Sequence, residues 1–113
     1  MKKVIVILIL MLTFCLNVFA QNDEYKDLFL AKKVFDDGFY DSALRQLKNF
    51  LQDYPYSKRN FEIEFLIAQC YFKKGQLYKA SNAFESLLVN SDISQIKKTD
   101  EINFWLAETY FKA

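Results

Sequence analysis

The side chains able to do chemistry are few, and their neighbours decide what they can do. Histidine is absent from the 113 residues, which removes the most versatile general base and the commonest zinc ligand. Cys15 and Cys70 are the two thiols, and a thiol with no imidazole to activate it is a poor nucleophile. Asp36-Asp37 and Glu62/Glu64 are paired carboxylates. Such pairs can do acid–base work, but these fall where helices end or begin and read as solvated surface. Lys32-Lys33, Lys73-Lys74 and Lys97-Lys98 are basic doublets. Two of them fall near helix ends, where the macrodipole favours cations. With two glycines in the chain, no glycine-rich loop can cradle a phosphate. The expectation is a chain that catalyses nothing and needs no cofactor or metal.

Whatever these groups do depends on the elements that hold them. The first element reads as a targeting segment. Met1-Lys2-Lys3 makes a positive start, Val4 to Leu12 is an unbroken apolar run, and Val18-Phe19-Ala20 precedes the polar Gln21-Asn22-Asp23-Glu24. That order fits a secretory signal peptide over 1–20, cleaved after Ala20. An uncleaved anchor is the alternative. Residues 4–20 span only ~25 Å as a helix, against a hydrocarbon core of roughly 30 Å. Lipidation at Cys15 is disfavoured by the bulky Phe14 before it. The expected location is periplasmic or secreted, with the membrane involved only through an uncleaved segment.

Removing residues 1–20 takes Lys2, Lys3 and Cys15 with it. Thirteen basic and fourteen acidic side chains remain, a net charge of −1. Signs so balanced and interspersed give no electrostatic footprint for nucleic acid. Cys70 is then the sole thiol, so no internal disulfide can form, and its apolar neighbours fit a small buried side chain. The remaining 93 residues suffice for one domain.

That domain repeats itself. Leu28-Phe29-Leu30-Ala31-Lys32-Lys33-Val34-Phe35 aligns with Phe65-Leu66-Ile67-Ala68-Gln69-Cys70-Tyr71-Phe72 and with Phe104-Trp105-Leu106-Ala107-Glu108-Thr109-Tyr110-Phe111. Ala31 is followed by Gly38, Ala43 and Leu47, and Ala68 by Gly75, Ala80 and Phe84, at the same intervals. Leu30, Ala31 and Val34, like Ile67, Ala68 and Tyr71, share one helical face. Gly38 and Gly75 stand where a left-handed residue would stop that helix. Leu44, Leu47 and Leu51, or Phe84, Leu87 and Leu88, supply the apolar stripe of a second helix. The alanines mark close approach between helices. Pro55 ends the second helix, Ser57 can cap the next, and Asn90-Ser91-Asp92 breaks the pattern again. Thr99-Asp100-Glu101 reads as a further helix start. Five helices are predicted, over about 23–37, 39–53, 57–74, 76–89 and 99–112.

Leu30-Ala31-x-x-Val34, Ala43-x-x-x-Leu47 and Pro55, with Ile67-Ala68-x-x-Tyr71 and Ala80-x-x-x-Phe84, resemble the tetratricopeptide repeat family across nearly all of 21–113. Two features depart from that family. Asp27, Glu64 and Asn103 stand where its tryptophan is expected, and the periods of 37 and 39 residues exceed the usual 34. The additions fall between units, near 57–60 and 92–99. The resemblance implies an all-α fold of antiparallel helical hairpins stacked as a short solenoid, with units at about 24–56 and 61–92 and a half unit at 99–113. Since a hairpin needs stacked neighbours to bury its apolar face, the outer face of the last helix should pair with another molecule, or the chain is the leading part of a longer array.

In such arrays the first helix of each unit lines a concave groove that holds a protein or peptide partner. Carried over here, the groove residues are Tyr25, Leu28, Lys32 and Phe35, then Glu62, Phe65, Gln69 and Phe72, then Glu101, Phe104, Glu108 and Phe111. Phe35, Phe72 and Phe111 would form a ladder of rings, although each could instead pack between neighbouring helices. The positions of a terminal-carboxylate clamp hold Leu28, Lys32, Leu66, Glu101 and Trp105, so that clamp is not expected. Asp41-x-Ala43-x-x-x-Leu47 with Phe50-Leu51, Tyr54-Pro55-x-Ser57 and the Phe65–Gly75 stretch is similar to exported members of the Tol–Pal-associated and outer-membrane barrel-assembly groups. That similarity implies an envelope adaptor, with self-association through the C-terminal helix as the alternative.

Overall fold

The structure, a computed structural model, describes residues 1–90 and 96–113, with side chains described for all of these except 17–22 and 96–97. The described residues are helical, with turns between and no strand. In chain order the helices are α1 (Lys2–Asp36), α2 (Tyr40–Asp53), α3 (Asn60–Lys73), α4 (Leu77–Asn90) and α5 (Ile96–Lys112). Each helix packs on the next, and α3 also touches α5. The pattern break at Ser91-Asp92, and most of the added segment predicted near 92–99, lie outside the described residues.

The turns α1–α2 and α3–α4 are copies of one another, because the same backbone requirement recurs in the sequence. Gly38 and Gly75 have φ of 84° and 75°, a region where a side chain is strained. Gly38 N–H donates to Phe35 O at 3.0 Å and Phe39 N–H to Val34 O at 3.1 Å. Gly75 N–H donates to Phe72 O at 3.0 Å and Gln76 N–H to Tyr71 O at 2.9 Å. These paired bonds are the Schellman arrangement, which satisfies the last carbonyls of each first helix. No heavy atom lies within 4 Å of where a Cβ would sit on either glycine. Backbone conformation, not crowding, therefore demands glycine there.

The turn reverses the chain and lays the second helix against the first. Ala31 and Ala43 are fully buried at one such contact, with Leu47 and Phe50 around them. Ala68 and Ala80 are fully buried at the next, with Phe84 and Leu87. Completely burying a Leu or Phe side chain is worth about 1.5–3 kcal/mol, so Leu47 and Phe84 hold their units together. Ile63, Ile67 and Cys70 of α3 close the first cluster, and Ile102 of α5 closes the second.

Four expectations are corrected. The predicted start at residue 23 falls inside α1, which runs unbroken from Lys2 because nothing between a strongly apolar segment and Tyr25 forbids helix. Ser57 does not cap α3, which begins at Asn60 after Arg59 with no side-chain cap. Ser57 Oγ instead accepts from Arg59 N–H at 3.1 Å and donates to the Glu24 carboxylate. Thr99-Asp100-Glu101 lies within α5, which starts one turn earlier at Ile96. Finally, Leu30 is 44% exposed and Ala107 is exposed, so the packing stripe runs through Leu28 and Ala31. Ala107 occupies the equivalent of Ala31 and Ala68, but among the described residues nothing packs over it.

The apolar N-terminal segment stands outside the core. Every described side chain from Met1 to Leu16 is exposed. Packing against α1 begins at Leu28. Polar contacts to it begin slightly earlier, at Glu24 with Ser57, and continue where Arg59 lies 5.8 Å from the Tyr25 ring centre and Tyr54 Oη donates to Asp27 Oδ2 at 2.8 Å. Among the described residues no helix is long and apolar enough to cross a membrane.

Candidate functional site

Stacking the hairpins brings α1, α3 and α5 into one row. A groove of about 320 Å³ crosses this row diagonally, from the C-terminal end of α1 to the N-terminal part of α5. Lys32, Phe35 and Asp36 come from α1, Glu62, Phe65, Leu66 and Gln69 from α3, and Lys98 and Glu101 from α5. Within each helix these residues are three or four apart, the spacing that puts side chains on one face. The obliquity explains why late residues of α1 share the groove with early residues of α5.

The apolar floor is Phe35, Phe65 and Leu66. All three are half-buried and packed against the two core clusters. Phe65 meets Phe84 edge-on with ring centres 5.9 Å apart, and Phe35 meets Tyr40 edge-on at 5.4 Å. The rings are thus held from behind and present one surface to the groove. Lys32 and Glu62 form an ion pair across the wall. Both are partly solvated, so the pair contributes at most about 1 kcal/mol. Lys98 Nζ lies 5.5 Å from the Phe61 ring centre.

Six of the twelve residues expected to line a groove therefore meet here: Lys32, Phe35, Glu62, Phe65, Gln69 and Glu101. The other six do not. Leu28 is 2% exposed and belongs to the core, since α1 turns it toward Ala43 and Leu47. Phe72 is 8% exposed, with Trp105 edge-on at 5.2 Å and Lys112 Nζ 4.5 Å from its ring centre. Tyr25 lies beside a separate hollow with Glu24, Tyr56 and Arg59. Phe104 and Phe111 are exposed beyond the groove, and Glu108 is half-buried outside it. The ladder of Phe35, Phe72 and Phe111 does not form. Their sequence positions are equivalent but their neighbours are not: Trp105 of α5 covers Phe72, whereas Phe111 is 88% exposed.

Leu66, at one of the clamp positions, also lines the groove, as do Asp36 and Lys98, which the sequence does not mark as groove residues. Asp36 and Lys98 had been read only as members of charged pairs. Their spacing was the available signal, with Asp36 four residues after Lys32 and Lys98 three before Glu101.

Elsewhere the titratable groups serve packing. Burial pushes the Cys70 thiol from 9.0 up to about 11, partly opposed by Lys74. Burial and the hydrogen bond to Asp27 push the Tyr54 phenol to about 12. The hydrogen bond from Tyr110 to Glu85 raises that phenol too. Lys74 Nζ lies 2.5 Å from Asp41 Oδ1 and ties the end of α3 to the start of α2. Among the described residues no three metal-ligating side chains converge.

No protein family, curated protein or solved structure was found to match this chain.

Proposed function

We propose that this chain is an exported tetratricopeptide-type solenoid that serves as a protein-binding adaptor in a bacterial cell envelope. In this reading residues 1–20 direct export and are removed after Ala20, leaving the protein periplasmic or secreted. The body binds a polypeptide segment along α1, α3 and α5 and performs no catalysis. The observation that carries the reading is the groove: rigidly backed apolar rings on its floor, charged and amide side chains on its walls. That combination suits an extended or helical peptide, whose side chains supply anchors and whose polar groups meet the rim. Export is supported by the apolar Val4–Leu16 segment lying outside both core clusters.

Site-specific photo-crosslinking in cells tests it. A crosslinker at Gln69 should capture a protein that one at Asn49, exposed on α2, does not. Equal capture at both positions, or none at Gln69, would remove the groove as the binding surface.

A second reading has its own observation. Phe104, Ala107, Tyr110 and Phe111 are exposed together on α5, which favours self-association through that helix. Light scattering of the protein lacking residues 1–20 separates the two readings, since a monomer at high concentration excludes this one.

A further inference from the structure

We propose that the groove selects a basic segment: an apolar anchor flanked by lysine or arginine. This rests on the groove being the binding surface, and it adds the chemistry of the occupant.

The argument is one of charge complementarity. Three carboxylates line the groove, Asp36, Glu62 and Glu101, against two ammonium groups, Lys32 and Lys98. Both cations are already engaged within the chain. Lys32 is bonded to Glu62, and Lys98 rests over the Phe61 ring. Among the described residues, neither Asp36 nor Glu101 has an ion-pair partner. The two come from different helices, Asp36 from α1 and Glu101 from α5, and share the groove with the apolar Phe35, Phe65 and Leu66.

Asp36 is also the last residue of α1. There the helix dipole presents its negative end, so a carboxylate is disfavoured by the helix that carries it. An incoming cation would relieve that repulsion. On α5 Glu101 would take a second cation, while the rings hold an apolar side chain. An acidic segment would meet two unneutralised carboxylates and one lysine already paired with Glu62.

The test is selection of displayed random peptides on the full chain, repeated on Asp36→Asn, Glu101→Gln and Gln69→Trp. Both acids are exposed, so their neutral forms keep the fold. Gln69→Trp fills the groove without adding charge. The expected result is enrichment of peptides carrying lysine or arginine around an apolar core. Their binding should be lost in Gln69→Trp and weakened about two- to fivefold by each neutralisation. The weakening should shrink as salt rises. Peptides that are acidic or neutral, yet still lost in Gln69→Trp, overturn the charge preference and leave the groove as the binding surface. Peptides indifferent to Gln69→Trp, or no selection at all, overturn both.

Discussion

Along α1, Val4–Leu16 is the more apolar part and every one of its side chains is exposed, whereas Asp23–Asp36 is the more polar part and supplies Leu28 and Ala31 to the core. The backbone is the same helix throughout. What differs is the pattern and what stands opposite it. Val4–Leu16 is apolar on all sides, so no stripe directs it to a partner, and neither core cluster includes it. Asp23–Asp36 carries a narrow stripe with an alanine at its centre, and α2 lies against that alanine. Apolar content alone does not produce burial. Periodicity matched to a neighbouring element does.

The difference predicts unequal responses to the same kind of change. Leu28→Ala should cost about 2–5 kcal/mol by opening a cavity in a filled cluster, while Leu8→Ala should leave the denaturant midpoint unchanged. Deleting residues 1–20 should likewise preserve the folded body's melting temperature. A large loss on that deletion would show that the first half of α1 supports the fold after all.

Overpacking sharpens the comparison one step further. Ala31→Leu should cost about 1–3 kcal/mol, since its Cβ sits at a helix–helix contact. Ala107→Leu, at the equivalent position of α5, should cost close to nothing because the site is open. Equal losses in thermal melts would mean that α5 is covered in solution, which would favour the self-association reading.

The duplicated turns should respond alike. Gly38→Ala and Gly75→Ala should each cost about 1–2 kcal/mol, because both force a side chain into left-handed backbone. A marked inequality would show that the two hairpins, identical in hydrogen bonding, differ in how much of the fold they carry.

The smallest effects concern single polar contacts and titration. Tyr54→Phe should lose about 1 kcal/mol with the Asp27 bond. The two cysteines repeat the contrast within α1: Cys15 should alkylate freely, and Cys70 only on unfolding. Burial keeps Cys70 protonated in the folded chain up to about pH 11, whereas the unfolded thiol ionises from 9.0. The folded state therefore holds the extra proton in that interval. Its stabilising contribution is complete below pH 9 and is lost as pH rises toward 11. Denaturant midpoints of the wild type and Cys70→Ala, followed across that range, should converge as pH increases.

Much of the groove was legible in advance where it depended on one helix at a time. Lys32, Phe35, Phe65 and Gln69 follow from helical spacing once the packing alanines are identified. Leu28 and Phe72 did not follow, because their burial depends on α2 and α5 as neighbours. Asp36 and Lys98 escaped because the groove runs obliquely, so that its lining drifts along each successive helix.

The order of glycines, alanines and apolar residues by itself determined the helices, the two stops at Gly38 and Gly75 and the close contacts at Ala31 and Ala68. All of these rest on local backbone preference and on period, which a chain carries wherever it is placed. Only the tertiary structure decided which of three equivalent phenylalanines is covered, which alanine meets water and which charges converge. Those depend on the element lying opposite, and proximity between helices distant in sequence is a property of the stack alone.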